Sequence, residues 1–256
     1  MSSKQQHLLL ILTPAIVLML LFAACDTSIK TDEAEVGAPE IARQSAPVSE
    51  VYHVDTAKSK LTWIGAKITG RHNGVFEITS GEMHIINKEL TGGKIDLNMR
   101  GTRSDDRALN DDSNKKLTTN LRSANFFDVE RYPTATFIIT DVSPYDSTNR
   151  KPISKPPTLD SQLRIKDATH LLTGNLTIKD KTRSVRFPAK IALQDNVLKA
   201  RANFNIDRTK WGLVYRADKS MGNQTIRPEV NIDINLVANR ATPTPETAAT
   251  QLPLIC

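Results

Sequence analysis

Cysteine is nearly absent: the 256 residues hold only Cys25 and the C-terminal Cys256. With none between them, the chain can build neither a thiolate metal cluster nor a disulfide framework, and a Cys25–Cys256 bridge is the one pairing open to it. A Gly-x-Ser-x-Gly nucleophile elbow and a phosphate-binding loop are also missing. His53, His72, His84 and His170 fall at no metal-ligand spacing; His72, close to Gly74, reads as a turn residue and His84 as water-facing. No metal, no cofactor and no catalytic residue is therefore expected. Nor is there a block of like charge. The 34 Lys and Arg are mixed with 28 Asp and Glu, so no nucleic-acid arm is expected. The mixed charges read first as a solvated exterior, and the formal charge of +6, or 6 − 1 = +5 without Lys4, leaves an anionic lipid headgroup or membrane surface as the second reading.

The one long apolar run lies at the N-terminus. Lys4 precedes Leu8–Ala24, the plan of a signal peptide over residues 1–24. Ala23 and Ala24 before Cys25 resemble a bacterial lipobox, with Phe22 where leucine is usual. Cys25 is then the lipidation site, and acyl chains contribute roughly 0.8 kcal/mol per buried methylene. A plain transmembrane anchor and a soluble export signal are the alternatives. Residues 25–50 and 241–256, rich in Ser, Thr, Ala, Pro and acidic residues, read as a disordered tether and tail. Residues 51–240 remain as one domain.

Within that domain the apolar residues alternate. Ile95, Leu97 and Met99 face one way, as do Val185, Phe187, Ala189, Ile191 and Leu193. Leu198, Ala200, Ala202, Phe204 and Ile206 form a third series, and Val230, Ile232, Ile234 and Leu236 a fourth, set against Asn231, Asp233 and Asn235. Each predicts a strand with one dry and one wet face. Weaker strands are expected at 59–69, 75–80, 82–87, 134–142 and 171–179, with turns at Gly81, Gly92-Gly93 and Asp195-Asn196. Eight or nine strands joined as neighbours suit an all-β antiparallel meander, which must either pair with a second sheet or curl shut; an antiparallel barrel of about eight strands is wide enough to be filled by side chains or to hold one slim ligand. Small inward residues such as Gly65, Ala189, Ala200 and Ala202 would leave room for that ligand. A filled core satisfies the same pattern.

One helix is expected, Leu109 to Leu121, capped from Asp111, Asp112 or Ser113 and lying on the surface over one barrel mouth. Behind it, Leu121–Phe137 gathers three of the seven phenylalanines and one of the four tyrosines before Pro133 forces an extended entry into a strand. Asp207-Arg208 reads as a salt bridge closing the barrel. Trp63 and Trp211 read as core or as ligand-facing.

The Leu121–Phe137 segment closely resembles the signature of the YceI-like family. Tyr52, Asp55 and Ser59 match that family's opening, and Trp63, Lys67-Ile68-Thr69-Gly70 and His72-Asn73-Gly74 resemble its first long strand and corner. Leu172–Ile178 leading to Phe187-Pro188, and Phe204–Arg208 with Trp211-Gly212, resemble its later motifs. The proline-rich stretch 143–169 is longer than the family's hairpin and reads as a mobile surface loop; Asn120 stands where many relatives have histidine.

The resemblance implies a lipocalin-like barrel that binds, carries or sequesters a long apolar lipid such as a polyisoprenoid, without catalysis. The apolar pocket would use Leu61, Trp63, Ile95, Leu97, Met99, Phe126, Phe127, Phe137, Ile139, Leu176, Ile178, Phe187, Phe204, Ile206 and Trp211. Its setting would be the bacterial cell envelope, anchored to the membrane through lipidated Cys25 and facing the periplasm or exterior. Assembly as a homodimer stays open. The competing readings are a structural or interaction lipoprotein with a filled barrel and, third, an enzyme using Asp207, Arg208 and His72.

Overall fold

The alternating segments become strands, and eight of them close on one another. In chain order the elements are β1 (Asp32–Glu33), β2 (Glu35–Gly37), β3 (Glu50–Val54), β4 (Lys60–Lys67), β5 (Gly70–Ile86), β6 (Glu89–Ser104), helix α1 (Asp111–Arg122), β7 (Thr134–Pro144), β8 (His170–Ile178), β9 (Lys181–Gln194), β10 (Val197–Asp207) and β11 (Ile226–Arg240). Strands β4 to β11 pair antiparallel with their neighbours, and β11 returns to β4 through Ile232↔Trp63 and Ile234↔Leu61. Closure removes the exposed edges that an open sheet of this length would carry. The computed structural model describes residues 27–41, 50–146, 148 and 159–241. Residues 1–26, with the expected leader and Cys25, and the tail from 242, with Cys256, lie outside them.

Two-residue turns at Asn87-Lys88 and Asp195-Asn196, all four residues at positive φ, join β5 to β6 and β9 to β10. Gly81 and Gly92-Gly93 were expected to be turns as well. They instead lie inside β5 and β6, which run on through them. A Cβ on Gly81 would stand 2.6 Å from Val54 Cγ2, and one on Gly93 would stand 2.5 Å from the Glu82 carbonyl. These glycines admit close backbone approach where β5 leaves β4 and takes up β3 as its partner.

The wall has two seams, filled by the three strands outside the barrel. At one end β4 stops and β3 fits between β11 and β5. At the other, the β9–β10 register ends at Ala189↔Ala202. Beyond that point β1 pairs in parallel with β10 at Asp32↔Phe204, and β2 pairs with β9 from Glu35↔Arg186 to Gly37↔Ser184. Residues 27–41, expected to belong to a structureless tether, are therefore a strap. Its backbone satisfies the diverging edges of β9 and β10, while Ala34 and Val36 pack against the core.

The strap also corrects the expected wet face of β10 and β11. Asn203, Asn205 and Asn231 point away from the barrel interior, yet all three are buried beneath it. Asn205 Nδ2 donates to the Ile29 carbonyl at 2.8 Å, and Thr31 Oγ1 donates to Asn203 Oδ1 at 3.0 Å. Part of the expected mobile loop is docked too: Arg164 pairs with Asp32 at 2.6 Å, and Ile165 and Ala168 are buried.

The helix expected at 109–121 is observed as Asp111–Arg122, with its N-cap one residue before the first of the expected caps. Asn110 is the N-cap, its Oδ1 accepting from Ser113 N at 2.9 Å, with Asp111 and Asp112 in the first turn where the helix dipole favours them. The helix is tied to the end of β6 by Ser104 N donating to Thr118 Oγ1 and by Arg122 Nε donating to Thr102 O. The β4–β5 turn and the 208–225 connection lie with α1 at this same end, the helix end of the barrel.

Candidate ligand cavity

The barrel is filled in one half and hollow in the other. Away from the helix end, Tyr52, Met83, Ile85, Leu90, Leu198 and Ala238 close the interior, with Ala189 and Ala202 among them. The helix half holds a cavity of about 210 Å³. Its wall is built by the inward series of successive strands, which is why single residues from many elements meet there: Leu61 and Trp63 from β4, Ile95, Leu97 and Met99 from β6, Phe137 from β7 and Leu176 and Ile178 from β8. Phe187 of β9 and Phe204 and Ile206 of β10 continue it, Phe126, Phe127, Leu117 and Leu121 cover it from α1 and the turn behind, and Trp211 and Leu213 follow β10.

All the pocket residues nominated from sequence line this cavity except Ile139. That residue is buried, but it pairs with Gly93 and Gly174 in the filled half, one step too deep. Of the small residues expected to make room, Gly65 lines the cavity, whereas Ala189 and Ala202 sit in the filled half. Among the lining residues not nominated, Val230, Ile232, Ile234 and Leu236 belong to a series whose alternation was legible. Arg208 and His72, named from sequence only for the enzyme reading, also line it; a polar side chain facing an apolar cavity breaks the alternation that identifies the others.

Aromatic rings fix the shape. Phe187 and Phe204 stack with centroids 4.1 Å apart, Phe127 meets Phe76 edge-on at 5.7 Å, and Phe126 meets Tyr215 at 5.3 Å. Trp211 Nε1 donates to Leu176 O at 2.9 Å, whereas the buried Trp63 Nε1 has no hydrogen-bond partner.

The polar groups of the lining are Lys67, His72 and Arg208, all at the helix end. Arg208 forms no salt bridge with Asp207, contrary to expectation. It is buried, its guanidinium donating to the carbonyls of Arg227 (3.2 Å), Tyr215 (3.0 Å), Ile226 (2.9 Å) and Leu213, and its charge lies 5.6 Å from the Phe126 ring centre. Burial lowers its pKa, against the nearby Asp207 and Glu229. Asp207 instead caps the turn after β10, accepting from Thr209 N and Oγ1. His72 is no turn residue: it lies in β5 opposite Gly65, with Nδ1 2.8 Å from Asp106 Oδ2. Burial opposes ionisation of Asp106, yet hydrogen bonds from His72 and Ala108 N, with the His72 charge, hold its carboxyl below the usual range. Among the described residues no group of three His, Cys, Asp or Glu is placed to hold a metal.

The model of the YceI-like domain matches residues 52–238. The chain belongs to the YceI-like family. Its barrel resembles BcnA of Burkholderia cenocepacia, at 20% identity and a TM-score of 0.53, over 74% of this chain and 99% of that one. It also resembles a polyisoprenoid binding domain from Saccharophagus degradans implicated in plant cell wall breakdown, at 11% identity and a TM-score of 0.51, over 75% and 100% of the two chains. No curated protein matches it in sequence. The YceI-like match begins after the strap. Asn120 accepts from Asn125 Nδ2 at 2.9 Å and does not line the cavity.

Proposed function

We propose that this YceI-like protein binds, carries or sequesters a long apolar lipid of the polyisoprenoid kind, without catalysis, in the bacterial cell envelope, tethered to the membrane through Cys25. One observation carries the reading: the hollow half of the barrel is lined almost wholly by aliphatic and aromatic side chains. Removing apolar surface from water is worth roughly 25 cal/mol per Å², so a carbon chain needs no polar partner to stay inside. A cavity of 210 Å³ is below the roughly 300–1,000 Å³ of ordinary ligand pockets, which suits one slim chain and excludes a bulky fused ring system. The binding activity in the name of the Saccharophagus degradans domain supports the same choice. The three residues an enzyme would have used are otherwise engaged, Asp207 in a cap, Arg208 on backbone carbonyls and His72 on Asp106.

Native mass spectrometry and solvent extraction of the folded protein test this. A co-purifying prenyl lipid, or saturable quenching of Trp63 and Trp211 by an added polyprenol, is the expected result. A barrel that purifies empty and takes up no prenyl chain would return the protein to the structural-lipoprotein reading.

A further inference from the structure

The two ends of the barrel differ in chemistry. At the end away from α1 the tight turns are Asn87-Lys88 and Asp195-Asn196, wholly polar. At the helix end, three large apolar side chains stand in water: Ile68 in the β4–β5 turn at 44% exposure, Val214 at 61% and Met221 at 41%. The latter two lie in the connection between β10 and β11, which is held to the rim by Arg208 and by Ile226 N donating to Arg216 O. Around these tips the turn and the connection, with Arg71 and Arg227 on the adjoining strands, carry Lys67, Lys210, Arg216 and Lys219 against Asp218, while Asp160 pairs with Arg71 and α1 brings Asp111 and Asp112 beside Lys115 and Lys116. Apolar tips set among basic residues are the composition of surfaces that seat in the headgroup region of an anionic bilayer.

The path of the N-terminal strap supplies an independent argument. Its first described residue, Thr27, is fastened to this same rim: Thr27 Oγ1 donates to the Lys67 carbonyl, Arg71 Nε donates to Thr27 O at 2.8 Å, and Arg227 Nε donates to Thr27 Oγ1 at 3.3 Å. Arg71 also donates to Ser28 O at 2.8 Å and is itself held by Asp160. Cys25 is two residues before Thr27. Two extended residues span at most about 7 Å, so a lipid on Cys25 enters the bilayer beside the cavity end of the barrel.

We propose that the helix end is a docking face for an anionic phospholipid bilayer, with Ile68, Val214 and Met221 inserted among the headgroups and the surrounding Lys and Arg over them, so that the cavity end faces the leaflet. The inference rests on the reading of Cys25 as the anchor and of the cavity as a lipid site. Docking in this orientation lets an apolar chain pass between membrane and barrel without crossing the periplasm.

The test is hydrogen exchange on the full chain in vesicles of phosphatidylcholine with phosphatidylglycerol, compared with phosphatidylcholine alone. Amides of residues 67–71 and 213–224 should slow several-fold in the anionic vesicles, while the turn at 195–196 is unchanged. The variant Ile68→Ser/Val214→Ser/Met221→Ser should lose that protection and keep its uptake of polyprenol from detergent. Equal exchange at both ends, protection that survives the triple substitution, or protection produced by raising protein concentration without vesicles, which marks a contact between copies, would each overturn the docking face. An empty barrel that still shows the end-specific protection would remove the lipid-binding reading alone.

Discussion

Asn203 and Asn231, on the outer face of adjacent strands, donate to each other in both directions at 3.2 and 3.0 Å while 1% and 2% exposed. Asn203 also donates to Asp233, and Asn231 to Asn205, whose own amide donates to Ile29 O and Glu33. Polar groups this deeply covered are costly unless every one is satisfied, so the strap and the amide cluster stabilise each other.

Asn231→Ala should therefore cost about 1–3 kcal/mol, the penalty for leaving buried partners unpaired. The loss should appear in urea unfolding, together with faster amide exchange in residues 27–41. Unchanged exchange there would show that the strap is held without the cluster.

Phe204→Ala removes one ring of the 4.1 Å stack with Phe187, where β9 and β10 have already diverged. A loss of about 3–5 kcal/mol is expected. Because both rings line the cavity, prenyl-chain affinity measured by tryptophan quenching should fall as well. Normal affinity in a destabilised variant would separate core packing from ligand contact.

Arg208→Met keeps an unbranched side chain of similar reach and removes the donors to four carbonyls. Stability should drop by on the order of 3 kcal/mol, since burying a thioether does not replace charge-assisted hydrogen bonds. Arg208→Lys should recover only part of it, an ammonium having three donors and no planar fork. Thermal unfolding of the two variants checks the order.

The Asp106 carboxyl is held below its unfolded value, so its contribution is complete above about pH 4. It is lost as the pH falls through the lowered folded-state value, where the native carboxylate takes up its proton. Asp106→Asn should be less stable than the parent at pH 6 and should approach it under acid. Urea midpoints across that range measure the difference; a constant gap down to pH 2 would assign the effect to packing.

Much of the architecture was legible because a barrel wall writes period-two alternation into the chain. Ile95–Leu97–Met99 and Val230–Leu236 declared both their strand type and their inward face. Gly81 and Gly93 misled because a glycine that permits close approach looks the same in sequence as one that permits a turn. Ile139 shares the alternation of Phe137, and alternation carries no information about depth along the barrel axis.

The sequence alone determined a run of antiparallel strands with one apolar face and aromatic residues gathered behind one helix, because those properties follow from local spacing and residue type, and its motifs resembled those of the YceI-like family. Three things were decided only in tertiary structure. The interior is filled around Tyr52 and Ile85 and hollow around Trp63 and Phe187; a hydrophilic N-terminal segment closes the seam between β9 and β10; and Thr27 is held on the rim of the cavity. Each depends on the distance between residues far apart in the chain, set by strand register and by where two strands part. That distance has no periodic trace in the sequence.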